Sequence, residues 1–180
     1  MKLRAGVAFA LMLVLAAGGV VYGAYKGWTA EKAPVEETYA GLESMLQTRI
    51  ESAYNVLAVA KRHLAEEDEA YQRVAKDRAA LESAGSGLAE KAQANEALTL
   101  DAAALLEKLA QMDSVKNDER DLMYVTSYLP QMLAQSEEKT VGAVYNQAAA
   151  EFNTRIRSTF SGWIARQLLG VKLAEEFIAR

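Results

Sequence analysis

The chain has 180 residues, only two prolines, one histidine and no cysteine, which leaves room for one domain and favours helices over sandwiches, barrels or disulfide scaffolds. Without cysteine there are no thiolate metal sites, and a lone His63 excludes a multi-histidine centre within one chain. From Val35 onward 16 Lys and Arg stand against 23 Asp and Glu, a net charge of −7, so bulk electrostatics exclude nucleic acid as a partner.

Residues 1–4 form a short basic tail carrying Lys2 and Arg4. Residues 5–25, AGVAFALMLVLAAGGVVYGAY, contain no charge. As a helix rising about 1.5 Å per residue, such a run matches the hydrocarbon thickness of a bilayer. Tyr22, Tyr25 and Trp28 mark its far edge, where amphipathic rings favour the membrane interface. A cleaved signal peptide is the rival reading. Against it, the run outlasts a usual signal core and no clean Ala-x-Ala closes it just before Lys26. The segment therefore reads as a retained single-pass anchor whose partner is the lipid bilayer. Lys2 and Arg4 before it and Lys26 and Lys32 after it balance, so the orientation rests on the short tail staying inside, with the bulk of the chain outside the cytoplasm.

Residues 26–34 read as a juxtamembrane linker, with Pro34 in the first turn of a helix from about Val35. Residues 35–180 then form the folded domain. Leu46, Ile50, Ala53, Leu57, Ala60 and Leu64, then Tyr71, Val74 and Leu81, recur at alternating steps of three and four, interrupted by Glu67 and Arg78. This predicts one long helix ending at Ser83-Ala84-Gly85-Ser86-Gly87, unless the acidic patch Glu66 to Glu69 splits it. A second helix is expected from Leu88 to about Met112. After the turn at Asp113 to Asn117, Asn117 or Asp118 caps a third that runs to about Ser158 with a kink at Pro130. Thr159 to Gly162 closes it, and an amphipathic helix from Trp163 to Ile178 follows, interrupted at Gly170. No segment alternates with period two. The expected fold is all-α: an N-terminal transmembrane helix, then an elongated up-and-down antiparallel four-helix bundle.

Little in the chain resembles reaction chemistry. His63 lies one turn from Glu67, but two ligands do not make a stable metal site, and Glu66 to Glu69 lacks the spacing and glycine of a calcium loop. No glycine-rich loop follows a strand, and the one histidine is a poor base for a serine nucleophile. The expectation is no enzyme: no catalytic, cofactor-binding or metal-binding residues, and no cofactor.

The segment VYNQAAAEFNTRIRS, residues 144–158, repeats an aromatic-asparagine pair one heptad apart. Tyr145, Ala149, Phe152 and Ile156 share one helix face and are expected in the core. Asn146 and Asn153 flank that face and are expected to fix register by bonding a neighbouring element. This pattern resembles the LemA family of bacterial membrane proteins: Tyr145-Asn146, then Phe152-Asn153-Thr154, Ile156 and Ser158, then Gly170-Val171-Lys172, Glu175 and Phe177. Val115 to Glu119 and LQTRIESAYNVL, residues 46–57 with Asn55, are similar to further family segments. Tyr54, Glu51, Glu66-Glu67 and Val171 depart from the family pattern, and only Arg49 of its arginine pair is present, which marks a divergent member.

The resemblance implies a helical bundle anchored by one N-terminal span in the bacterial inner membrane, with no catalytic residues to carry over. It implies a scaffold or adaptor for envelope protein complexes, with other membrane proteins as partners and self-association left open. The alternative is a tethered sensory module that binds a small ligand and signals through a partner. The expected partner surface is Leu168, Leu169, Val171, Leu173 and Phe177, all on the last predicted helix.

Overall fold

The computed structural model describes residues 2–137 and 139–179, with side chains from Gly6 onward except that of Lys139. The side chains of Lys2 and Arg4, read as the basic flank of the anchor, lie outside the described residues. Among the described residues every regular element is helical: α1 (Lys2–Ala60), α2 (Glu69–Glu82), α3 (Leu88–Gln111), α4 (Asp113–Lys116), α5 (Glu119–Met123), a π-helical turn (Tyr124–Tyr128), α6 (Leu129–Ser136), α7 (Lys139–Ser158) and α8 (Phe160–Leu168). By packing, the chain divides into two compact units. One comprises residues up to 37 together with 147–174; the other comprises 38–146 together with 175–179.

In the larger unit, four helical arms pack as an antiparallel bundle. Arg73 bonds Asp101 at 2.8 Å and Lys108 bonds Asp68, so the numbering of α2 rises as that of α3 falls. His63 meets Asp121, Asn55 meets Met132 and Arg49 meets Ser136, which sets the second half of α1 antiparallel to α5 and α6. Leu42, Ala53, Val56 and Ala60 of α1 and Leu98, Ala102, Leu105 and Leu109 of α3 are all without exposure, and Leu129 is nearly so. Apolar burial at about 25 cal/mol per Å² makes this core the main stabilising term.

The long helix expected through residue 82 stops at Ala60, so the acidic patch does split it. Asp68 explains the break: its carboxylate accepts from the Ala70 amide and caps α2, and Lys108 holds that carboxyl below its usual range. Glu67 falls in the exposed turn, whereas Arg78 lies half-buried, its guanidinium over the Tyr54 ring at 5.8 Å. The third helix also divides. Asp118 caps α5 as expected, accepting from the Asp121 amide at 3.0 Å. Pro130 lacks a donor and its ring crowds the preceding turn. The chain answers with a π-turn just before it, in which the Leu129 amide reaches five residues back to the Tyr124 carbonyl. The helix then ends at Glu137 instead of continuing to Ser158.

In the smaller unit, residues 26–34 are helical within α1, and Pro34 sits inside that helix instead of opening one. One missing amide and no glycine between Gly27 and Gly41 leave the helix able to propagate through it. Trp28 meets Phe152 edge-on, ring centroids 6.0 Å apart, and Arg155 bonds Glu31 at 2.6 Å. The expected helix over 163–178 is replaced by α8 and an irregular tail. The Val171 amide reaches back to the Ala165 carbonyl at 3.1 Å across Gly170, whose φ of +66° only glycine adopts without strain.

Candidate functional site

Arg49 is the most unusual residue of the bundle, a charged side chain with no exposure at all. It lies on the inward stripe of α1 one turn from Met45, Leu46, Ser52 and Ala53, all buried. A guanidinium carries five N–H donors, and each finds a neutral acceptor. Nε donates to the Asn95 side-chain oxygen at 2.9 Å. One terminal nitrogen donates to the Leu133 carbonyl and the Ser136 hydroxyl, the other to the Asn95 carbonyl at 3.1 Å and Thr99 at 2.6 Å. The fork thereby ties α1 to α3 and α6. Burial pushes the guanidinium below its ordinary value, and the nearby Glu137 charge opposes that shift. Beside it opens a cavity of about 380 Å³ bordered by Leu106, Glu107, Val125, Pro130 and Glu137.

The aromatic-asparagine pairs of α7 do different work. Tyr145 and Phe152 are core residues, as their spacing predicts. Burial pushes the Tyr145 phenol up, and its hydroxyl donates to the Glu175 carbonyl at 2.6 Å. Asn146 accepts from the Phe177 amide at 2.7 Å and donates to the Phe177 carbonyl at 2.9 Å. Asn153 treats Ala174 in the same way, at 2.8 and 2.9 Å. A side-chain amide matches a backbone peptide in donor and acceptor, so each asparagine pairs with one tail residue as a neighbouring strand would.

A family model described as LemA family matches residues 38–180. The chain belongs to the LemA family. No curated protein matches it. In this LemA chain, then, the residues that carried the resemblance, Tyr145, Asn146, Phe152, Asn153, Gly170, Glu175 and Phe177, are largely those that fasten the tail to α7. The five residues expected to form one helical partner surface do not share a helix. Leu168 ends α8 and is 64 % exposed, and Leu173 is just exposed at 37 %; Leu169, Val171 and Phe177 are half-buried, with Phe177 against Gly142.

The partners of His63 are Asp121 and Ser114. Its Nε2 lies 2.8 Å from buried Asp121, and its Nδ1 lies 3.1 Å from Ser114. Arg62 reaches the other Asp121 oxygen at 2.7 Å. A serine, a histidine and an aspartate thus stand in line, but with the ring nitrogens exchanged relative to a serine-hydrolase triad, where the serine pairs with Nε2. The arrangement ties the turn after α1 to α4 and α5. Among the described residues no group of three His, Asp or Glu is placed to hold a metal.

Two further groups escaped sequence reasoning. Asp77 is buried in α2 with one carboxylate oxygen unbonded, and burial, with Asp101 nearby, pushes its carboxyl up to about 6. Asp121 is more deeply hidden but fully engaged, by Arg62 and His63. For Arg49 a signal existed: Leu42, Met45, Arg49, Ser52, Val56 and Val59 step by three and four, a stripe that runs through the arginine as readily as through Ile50.

Proposed function

We propose that this LemA chain is a membrane-anchored, non-catalytic scaffold. Residues 5–25 cross the bacterial inner membrane, the bulk of the chain lies outside the cytoplasm, and the bundle presents its surface to other membrane proteins. The observation that carries this reading is α1 itself. It holds one apolar window long enough to cross a membrane, almost none of it buried by the rest of the chain, in the same unbroken helix as the bundle residues Leu42 to Ala60. The absence of catalysis is argued from hydrogen-bond capacity. Arg49, Asn146, Asn153 and both nitrogens of His63 are committed to partners inside the fold, so recruiting any of them to a substrate would break a contact that holds two elements together.

The test is site-specific photocrosslinking in intact membranes, with the probe placed at exposed Tyr54, Tyr128 and Leu168 in turn. The scaffold reading expects one recurrent membrane-protein adduct from at least one position. Adducts to lipid or to the chain itself from all three would sink it. A single cysteine at Ser83, in a chain that has none, reports sidedness by its reactivity towards an impermeant reagent in whole cells.

A second reading, small-ligand sensing, is favoured by one observation. Near Asn146 lies a cavity of about 440 Å³ lined by Asn95, Glu96, Glu137 and Phe177, a mixed polar and aromatic wall of the size ligands use. Native mass spectrometry of the protein in lipid discs would reveal a retained small molecule. A bare mass in every preparation would remove this alternative.

A further inference from the structure

In the smaller unit, two stretches distant in sequence border one groove of about 430 Å³. Val20, Gly23 and Gly27 of α1 form one wall and Phe160, Ser161 and Ile164 of α8 contribute to the other. Val20 precedes Tyr25, the end of the charge-free run, by five residues, or about 7.5 Å of helix. The lining continues along α1 through Trp28 to Glu31 and includes Arg155 and Thr159, so the groove straddles the end of the apolar run and the polar turns beyond it. Interfacial helices bury their apolar face about 5–10 Å into the headgroup boundary, the zone that this end of the run occupies if it spans a bilayer.

The side chains of α8 fit this location. Phe160 and Trp163 stack with centroids 6.0 Å apart and planes 10° from parallel, yet they are 76 % and 54 % exposed. Two large stacked rings left open to solvent are uncommon on a soluble surface, whereas tryptophan favours the headgroup boundary. Their outward placement is built in. Thr159 caps α8 by accepting from the Gly162 amide at 3.1 Å, Ala165 is buried on the side away from the two rings, and Ile164 is buried beside Phe160 along the groove. Gly162 lets the helix start press against the end of α7, since a methyl there would stand 2.2 Å from the Ile156 carbonyl oxygen.

We infer that α8 is a second membrane element, an interfacial helix whose Phe160–Trp163 pair enters the boundary between headgroups and acyl chains in the leaflet where Tyr22 and Tyr25 of α1 sit. The occupant of this face is the lipid bilayer, because the groove is continuous with the surface of the apolar run. The inference rests on residues 5–25 spanning the membrane, and it adds that the chain touches the bilayer twice.

The experiment uses the full chain in phosphatidylcholine vesicles, as wild type and as Trp163→Phe, so that the difference spectrum isolates Trp163 from the buried Trp28. Vesicle flotation reports anchoring by itself. The expected result is a floating protein whose Trp163 emission is largely lost to lipids brominated high on the acyl chain and is spared by aqueous iodide. A floating protein whose Trp163 emission is lost to iodide and untouched by brominated lipid overturns the role of α8 and leaves the anchor standing. Trp163 shielded from both quenchers, with α8-to-α8 crosslinks that grow with protein density, assigns the face to a second copy and also overturns it. Failure to float removes the anchor and the inference together.

Discussion

The two halves of α1 invert the usual rule of burial. Before Tyr25 the large apolar side chains lie outside, with Phe9 at 60 %, Met12 at 64 % and Leu15 at 73 % exposed. After Leu42 the same helix carries an arginine with no exposure whatever. The difference teaches that burial follows the available partners. In the second half the bundle supplies five neutral acceptors to one guanidinium. In the first half the described part of the chain covers almost none of the apolar surface, and a bilayer is the solvent that would.

The comparison breaks most visibly if Arg49 is replaced. Arg49→Ala orphans the acceptors on Asn95, Thr99, Leu133 and Ser136 and opens a void, and urea unfolding is expected to lose about 3–5 kcal/mol. Arg49→Lys is expected to recover only part of this, because an ammonium on a flexible stem cannot span acceptors on two helices as a planar fork does. A loss below about 1 kcal/mol for the alanine variant would show that the network adds little. The corresponding change in the other half is Leu15→Arg, which puts a charge at the centre of the apolar run. Its expected penalty is about 3 kcal/mol for insertion and no change in the helical signal of the bundle, read as loss of protein from the membrane fraction.

A smaller effect tests the tail. Asn153→Ala removes both bonds to Ala174, and about 1–3 kcal/mol of stability should go with them. Hydrogen exchange at the Ala174 amide should rise well above that at Phe177, which Asn146 still holds.

The smallest effect concerns Asp77, a buried charge that lacks what Arg49 has. Its folded value of about 6 lies above its ordinary 3.8, so the folded state holds a proton that the unfolded chain releases. The resulting stability is full below 3.8 and is lost as pH rises through about 6. Asp77→Asn should gain about 1–2 kcal/mol at around pH 8, gain little at around pH 4, and flatten the profile between them. Equal gains at both ends would mean that the carboxylate is not strained by burial.

How much of this was legible in the sequence differs by residue type. Apolar periodicity carries its own direction, so Ala53, Leu57, Leu81, Tyr145 and Phe152 were placed in the core from spacing alone, and all are buried. Charged and polar residues have no such default. Arg49 reads as surface until Asn95, Thr99 and Ser136 are known to converge on it from 40 to 90 residues away. The tail misled for a related reason. LAEEFIAR is a good helix former, but Asn146 and Asn153 offer its backbone better partners than another helical turn would, and tertiary bonding overrides local propensity. Breaks were visible as residue types, Glu66 to Asp68 and Pro130, although the resulting cap and π-turn depend on geometry that spacing does not encode.

The most direct test is a single-cysteine spin-label scan along residues 6–60 of the protein in vesicles, which the cysteine-free chain permits without background. The account predicts labels exposed to oxygen and shielded from a water-soluble nickel complex through residue 25. Beyond that point it predicts access to the nickel complex with unbroken helical periodicity through 26–34, and immobile labels at Leu42, Leu46 and Ala53. Nickel access throughout residues 6–25, or loss of helical periodicity across 26–34, would contradict it.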